Sequence, residues 1–159
     1  MTIKVRVVLG TMGPSWGHGF YPEIDFLYSW RANARGMHYT LQGWCDLLVM
    51  DRDENHTLVS MELFAGSKNW QVQDDLQAPP AEPGQVFVQE DIDDGQVQAY
   101  FTDSGYTIFY ARLEAEESEP PVQHVTIAEE VVLDIDRSGT LVGVWLLDLP
   151  PEIAALRGV

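Results

Sequence analysis

The amino-acid sequence predicts an all-β, mainly antiparallel protein with two similar β-meander repeats and a short C-terminal helix. Short runs rich in β-branched and aromatic residues recur along the chain, and clusters of turn-forming residues separate them. One combination of strand, acidic turn and strand, at residues 131–147, has an earlier counterpart at residues 46–64. A pattern that returns at a long interval indicates a fold of similar units. The repeats are expected to pack as a sandwich or to join as a continuous sheet.

The first β repeat is predicted at residues 1–77 and is rich in Trp. Residues 2–10 alternate apolar and polar side chains, which predicts the first strand. Residues 11–19 carry Gly and Pro at short intervals and therefore predict a loop. A second strand is predicted at residues 25–30, and residues 46–64 complete the repeat with a hairpin.

A Pro-rich linker at residues 78–84 is predicted to divide the repeats, because its three prolines resist both helix and central-strand pairing. The second β repeat, residues 85–159, is strongly acidic. An Asp-Gly pair ends residues 91–95 and favours a hairpin turn between two extended segments. A strand at residues 107–113 and another at residues 122–127 precede the final hairpin, and Pro150-Pro151-Glu152 begins the predicted helix.

The repeat is supported by two matches in the same order, an upstream apolar segment and the late hairpin. Asp51-Arg52 aligns with Asp136-Arg137, and Thr57-Leu58-Val59 aligns with Thr140-Leu141-Val142. This alignment makes the turn of the first copy two residues longer. The upstream segment at residues 25–28 aligns with residues 107–110.

Two segments of the second half carry a family pattern: AYFTDSGYTIFYARL at residues 99–113 and VVLDIDRSGTLVGVWLLD at residues 131–148. They resemble domain-of-unknown-function family 2283, in which a Tyr-Asp turn leads into an apolar strand and a D-x-D-x-x-G turn precedes L-V-G. Thr107 stands where that family commonly has an acidic residue, and Trp145 replaces the usual Glu after L-V-G. The resemblance implies a hairpin-rich fold and transfers no catalytic role.

The charge of the chain is negative and uneven. The formal net charge is −16 at pH 7. Residues 1–80 hold nine acidic and six basic side chains, a net −3, whereas residues 81–159 hold sixteen acidic and three basic ones, a net −13. Nucleic acid is disfavoured as a partner, because phosphate recognition needs Lys and Arg. The alternatives are a basic protein partner, a second copy of the chain, or acidity that serves solubility alone.

Other features of the sequence bear on location. No run of about 18 apolar residues predicts a membrane helix, and the N-terminal strand pattern is unlike a signal peptide. A single cysteine, Cys45, fits a reducing cytoplasm. The protein is therefore expected to be cytoplasmic and free of membrane contact.

The candidate ligand or partner site is Trp16 with His18 and His38. Trp16 and His18 lie in the predicted Gly-rich loop, where a large ring is free to contact a ligand. Trp30, Trp44 and Trp145 are instead expected to fill the core. The spacings among the histidines and Cys45 fit no compact zinc ligand pair.

Calcium is a second candidate ligand, on Asp51, Asp53, Asn55 and Glu62. Their spacing resembles the alternating oxygen ligands of an EF-hand loop, but His56 replaces the required glycine and the flanks read as strands. Acidic turn residues also have a backbone reason for their position, since they accept hydrogen bonds from nearby N–H groups. No cofactor is expected.

Catalytic motifs are missing from the sequence: it contains no nucleophile elbow, phosphate-binding loop or dinucleotide-binding glycine pattern. The expected function is that of a non-enzymatic protein-interaction module, with an acidic surface for a basic partner or for self-association. The alternative is a small-molecule- or metal-binding enzyme with a site near Trp16, His18 and His38.

Overall fold

The computed structural model describes residues 3–33, 48–89, 97–113 and 120–159, together with the backbone of residues 39–45. It shows the predicted all-β fold and the short C-terminal helix, α1 (Pro151–Leu156). The strands within these residues are β1 (Ile3–Leu9), β2 (Trp16–Tyr21), β3 (Phe26–Arg31), β4 (Tyr39–Cys45), β5 (Leu48–Asp53), β6 (Leu58–Leu63), β7 (Gln71–Val72), β8 (Glu82–Val88), β9 (Val97–Thr102), β10 (Phe109–Leu113), β11 (Gln123–Ala128), β12 (Val131–Ile135) and β13 (Thr140–Leu146).

The strands of the described residues form two sheets. One has the order β2-β3-β6-β5-β4 and is antiparallel throughout. The other has the order β1-β8-β11-β12-β13-β10-β9-β7 and contains two parallel pairs, β8 with β11 and β7 with β9. Strand β1 also pairs with the start of β13, so β1, β8, β11, β12 and β13 close into a ring.

Five strands of each half pair in the same order. We call β2–β6 the first strand set and β9–β13 the second strand set. The order β2-β3-β6-β5-β4 corresponds to β9-β10-β13-β12-β11. The register also corresponds: Tyr28 lies opposite Glu62 in the first set, and Tyr110 lies opposite Trp145 in the second. Asp51 and Asp134 are therefore equivalent, and the register of both hairpins shifts directly after them.

The sequence alignment of the two acidic turns was wrong by two residues. The main chain of Asp53 pairs with that of Thr57, and the main chain of Asp136 pairs with that of Thr140 in the same way. Asp53, rather than Asp51, is thus the counterpart of Asp136. The two turns therefore have equal length. The alignment was wrong because the Asp-Arg dipeptide occurs at different positions in the two turns.

The same side-chain construction closes three turns. The carboxylate Oδ1 of Asp53, Asp103 and Asp136 accepts a hydrogen bond from the backbone N–H of the Thr four residues later, at 2.7–3.0 Å. The residue before each Thr has a positive φ: His56, Tyr106 and Gly139. Glycine is thus not required at this position of the turn.

Several boundaries differ from the predicted ones. The predicted loop at residues 11–19 ends early, because β2 begins at Trp16. The predicted linker is partly strand, since β8 begins at Glu82 and pairs with β1 and β11. Strands β8 and β9 were expected to form a hairpin, but they are not neighbours in the sheet, and the predicted turn at residues 91–95 lies outside the described residues.

Buried side chains of both sheets form one hydrophobic cluster. It includes Leu27, Met50 and Met61 from the first strand set and Phe109 and Leu133 from the second. Alternation along each strand therefore gives an inner face toward this cluster and an outer face away from it. In the described part of the chain, no helix has the length and apolar character needed to cross a membrane.

Candidate functional site

Aromatic side chains dominate the outer face of the first strand set. We call them the aromatic row: Tyr21, Phe26, Tyr28, Trp30 and Phe64. The ring centroids of Tyr28 and Trp30 are 5.0 Å apart, those of Tyr21 and Tyr28 are 5.1 Å apart, and those of Phe26 and Phe64 are 5.2 Å apart. Alternate residues of a strand share a face, so β3 alone places three of these rings side by side.

Two glycines make room for the row. Gly17 lies opposite Trp30 and Gly19 lies opposite Tyr28 in the neighbouring strand. A Cβ atom at Gly17 would lie 3.3 Å from the Trp30 ring, and one at Gly19 would overlap the Tyr28 ring. The two rings therefore lean across β2 and cover its backbone.

The aromatic row is accessible. Tyr21 is 50% exposed, Trp30 38% and Phe64 56%. Tyr21, Phe26 and Phe64 line a surface pocket of about 360 Å³, which Ile24 and Asp25 complete. Contiguous exposed apolar surface on a folded protein is typical of a binding site.

Asp25 is held in place as part of the wall of this pocket. Burial alone would raise the pKa of its carboxyl group, but hydrogen bonds from the Ser67 hydroxyl at 2.6 Å and from the Lys68 backbone lower that pKa below its usual value. A side chain at Gly66 would approach this carboxylate too closely, with a Cβ only 2.5 Å from it. The Asp25 carboxylate therefore has a structural role, in which it holds the segment of Ser67 and Lys68.

Glu62 is the half-buried acidic residue beside the row. It lies directly opposite Tyr28. Burial raises the pKa of its carboxyl group, and the negative charge of Asp51 raises it further. Asp51 itself is buried and accepts a hydrogen bond of 2.5 Å from the Ser60 hydroxyl. Within the described residues, the Glu62 carboxylate has no hydrogen bond or ion pair.

The outer face of the second strand set has a different character. Trp145 is only 6% exposed, and its ring lies 4.2 Å from that of Tyr110. The buried Asp134 carboxylate accepts a hydrogen bond from Trp145 Nε1 at 3.0 Å and lies 2.7 Å from His124 Nδ1. The guanidinium group of Arg112 lies 5.0 Å from the centre of the Phe101 ring. The polar groups of this face are therefore paired with neighbours on the same face.

Trp16 is not on a flexible loop, contrary to the sequence prediction. It opens β2, is 5% exposed, and its backbone N–H donates to the Glu130 carboxylate at 3.1 Å. The Trp16 ring borders a groove of about 90 Å³ between the sheets, together with Arg31 and Ile127. Trp30, which the sequence assigned to the core, is the exposed tryptophan of the aromatic row.

His18 lies two residues after Trp16 on the inner face of β2. Its Nδ1 lies 2.7 Å from the hydroxyl of the buried Ser29. Burial lowers the pKa of the ring, although the Leu147 carbonyl and the negative charge of Glu130 oppose this shift. His38, the third predicted site residue, lies outside the described residues, as does the side chain of Trp44.

The calcium candidates have local structural roles. Asp53 accepts hydrogen bonds from the N–H groups of Asn55 and Thr57 and pairs with Arg31 Nη2 at 3.4 Å. Burial would raise the pKa of the Asp53 carboxyl group, but these partners lower it. Asn55 is exposed in the turn, whereas Asp51 and Glu62 lie on the outer face of the sheet. Within the described residues, no three Asp, Glu, His or Cys side chains are placed to hold a metal ion.

The aromatic row was not predicted as a site, although the sequence carries a signal for it. Phe26, Tyr28 and Trp30 alternate with smaller or aliphatic residues, and Gly17 and Gly19 alternate in the segment before them. Two glycines at a spacing of two in one strand, opposite two aromatic residues at the same spacing, indicate rings that cover a neighbouring strand. Because glycines at short intervals are also typical of loops, residues 11–19 predict a loop rather than a strand.

Neither a protein-family model nor a curated protein matches the chain. The resemblance to domain-of-unknown-function family 2283 therefore stays a prediction.

Proposed function

We propose that this protein is a non-enzymatic interaction module that binds a basic protein partner through the aromatic row. The exposure of the row is the observation that carries the proposal. Its rings are fixed by neighbours within the row and by Gly17 and Gly19 beneath them. Rigid aromatic side chains lose little conformational entropy on binding and often provide most of the binding energy of an interface.

Charge supports a basic partner over a neutral or acidic one. The chain carries a net charge of −16, and Glu62 lies beside the row. Nucleic acid that stacks on aromatic rings also needs a basic groove for its phosphates, and the described residues of this outer face carry no such groove. A positively charged protein segment can contact the aromatic rings and also pair with the negative charge beside them.

We further propose that the two strand sets are copies of one unit whose outer faces have diverged. Their matching strand order and register support this relationship. On this view, the second set has turned its outer face into internal packing, while the first has kept or gained an open one. The binding role belongs to the first set.

Selection from a random peptide library displayed on phage, with the full-length protein as bait, tests the proposal. We expect the enriched peptides to be basic, and we expect their binding to weaken as salt rises, because charge steers the association. Nuclear magnetic resonance titration with the best peptide should shift the signals of β2, β3 and β6.

A double variant, Tyr28→Ala with Trp30→Ala, should lose the selected peptides. The matched control is Val72→Ala with Val122→Ala, which truncates two exposed apolar side chains away from the row. Peptides that bind the double variant and the parent equally, with shifts outside β2, β3 and β6, would overturn the proposal.

A further inference from the structure

The outer face of the second strand set contains a guanidinium group on an aromatic ring, and the described residues of the first strand set have no arginine at the corresponding position. In the second strand set, the chain supplies its own guanidinium group, because Arg112 lies over the Phe101 ring. By register, Trp30 of the first set occupies the position of Arg112, and Gly19 occupies that of Phe101. The first set thus has rings and a carboxylate on this face without the corresponding arginine.

The surroundings of Glu62 suit a guanidinium group better than an ammonium group. Tyr28 lies opposite Glu62, and its ring is stacked between those of Tyr21 and Trp30, so the outer edge of this stack and the exposed Trp30 ring are what a ligand can contact. A planar guanidinium can lie against such rings while its N–H groups donate to a carboxylate, whereas an ammonium acts as a point charge. The buried carboxylate of neighbouring Asp51 adds negative charge that favours a cation here.

A second contact lies next to this position. Phe64 follows Glu62 by two residues and forms one wall of the pocket that also involves Ile24. The spacing of alternate residues along an extended chain is about 7 Å. An extended ligand can therefore place one side chain beside Glu62 and the next side chain of the same face in the pocket.

We infer that the first strand set binds an extended protein segment in which an arginine and a large apolar residue are separated by one residue. The arginine lies against the outer edge of the Tyr28 and Trp30 stack and pairs with Glu62, and the apolar side chain enters the pocket beside Phe64. This inference rests on the proposed function and names the chemistry of its ligand.

Short capped peptides test the inference directly. The probes contain Phe-Gly-Arg or Arg-Gly-Phe between Gly-Ser flanks, and dissociation constants come from nuclear magnetic resonance titration of the full-length protein. We expect at least one order to bind, and we expect binding about tenfold weaker when citrulline, a neutral isostere, replaces arginine. Lysine should also bind more weakly than arginine, and adjacent Phe-Arg should bind more weakly than the spaced peptides.

Glu62→Gln should weaken binding of the arginine peptide by about tenfold and leave binding of the citrulline peptide unchanged, because both changes remove the same ion pair. Glu54→Gln is the matched control, since it removes an equal charge from an exposed position in the acidic turn. Equal affinity of the parent and Glu62→Gln for the arginine peptide would overturn the inference. If Tyr28→Ala still abolished that binding, the binding role of the row would stand. If neither peptide order shifted any signal of β2, β3 or β6 while phage-selected peptides did, the inference alone would fail.

Discussion

The outer faces of the two strand sets share a register and differ in how their polar groups are satisfied. In the second set, Trp145 and His124 surround the Asp134 carboxylate, and the aromatic rings beside it are largely buried. In the first set, the equivalent Asp51 accepts a hydrogen bond from Ser60. Glu62 takes the place of Trp145, however, and the neighbouring aromatic row is exposed to solvent. The exchange of Trp145 for Glu62 at this register position is one of the differences that separate the buried outer face of the second set from the charged, exposed one of the first.

The difference predicts where mutations damage the fold. Asp134→Ala should lower the free energy of unfolding by about 3 kcal/mol, because it leaves the Trp145 indole N–H and His124 without their acceptor. Trp30→Ala should cost about 1 kcal/mol or less, because its ring is already exposed. Urea denaturation followed by circular dichroism measures both. Equal losses would show that the aromatic row is structural.

Glycines beneath the two faces provide a second comparison. Gly143→Ala should cost about 2 kcal/mol, because its Cβ would lie 2.8 Å from both the Asp134 carboxylate and the Tyr110 ring. Gly19→Ala should cost about 1 kcal/mol, because its Cβ meets only the outer end of the half-buried Tyr28 ring, which can move outward while it gives up its stacking contacts in the row. Thermal unfolding compares the variants. A larger loss for Gly19→Ala would mean that the Tyr28 ring is held in place as firmly as the buried cluster.

The acidic turns, in contrast, should behave alike in both sets. Burial opposes ionisation of Asp53 and Asp103, yet their hydrogen bonds lower both pKa values below 3.8. Their stabilising effect is complete above that pH and is lost as the pH falls through the lower folded-state pKa. Asp53→Asn and Asp103→Asn should each cost about 1 kcal/mol at neutral pH and flatten the loss of stability below pH 3.8. Denaturation curves from pH 2 to 7 would contradict this if either variant kept the parent's slope.

The smallest expected effect concerns Glu62. Its folded-state pKa is raised above 4.5, so the ionised group opposes folding at neutral pH and ceases to do so as the pH falls through that raised pKa. Glu62→Gln should therefore stabilise the protein at pH 7 by a few tenths of a kcal/mol. This gain should disappear near pH 4. A variant less stable than the parent at pH 7 would mean that Glu62 has a structural partner.

The sequence predicts the strands and the final helix well, because these segments alternate clearly or carry turn residues at their ends. The prediction fails at β2. Its glycines make room for aromatic rings of the neighbouring strand, but in the sequence they look like the glycines of a loop. It also places Trp30 in the core and Trp16 on the surface, the reverse of the structure. Alternation tells which residues share a face, but only the packing of the sheet into the hydrophobic cluster tells which face is covered.

Long-range pairing is a further limit of sequence reasoning. Nothing local in β1 indicates that it joins β8 and β13 of the second half. The candidate site is limited for the same reason. The sequence indicates Glu62 as a calcium candidate through its spacing from Asp51, whereas its position opposite Tyr28 depends on strand register alone.

The ring of strands that includes β1 has a kinetic consequence. Lys4 and Thr140, which share a hydrogen bond of 2.8 Å, are 136 residues apart, so this closure joins the earliest strand to the latest hairpin. Strand pairs of such high sequence separation form slowly during folding. Until they form, the unpaired strand edge can associate with other chains. Lys4 and Arg6 place two positive charges along β1. Charged side chains on a strand oppose edge-to-edge association. Lys4 and Arg6 therefore protect β1 from aggregation before it pairs with β8 and β13.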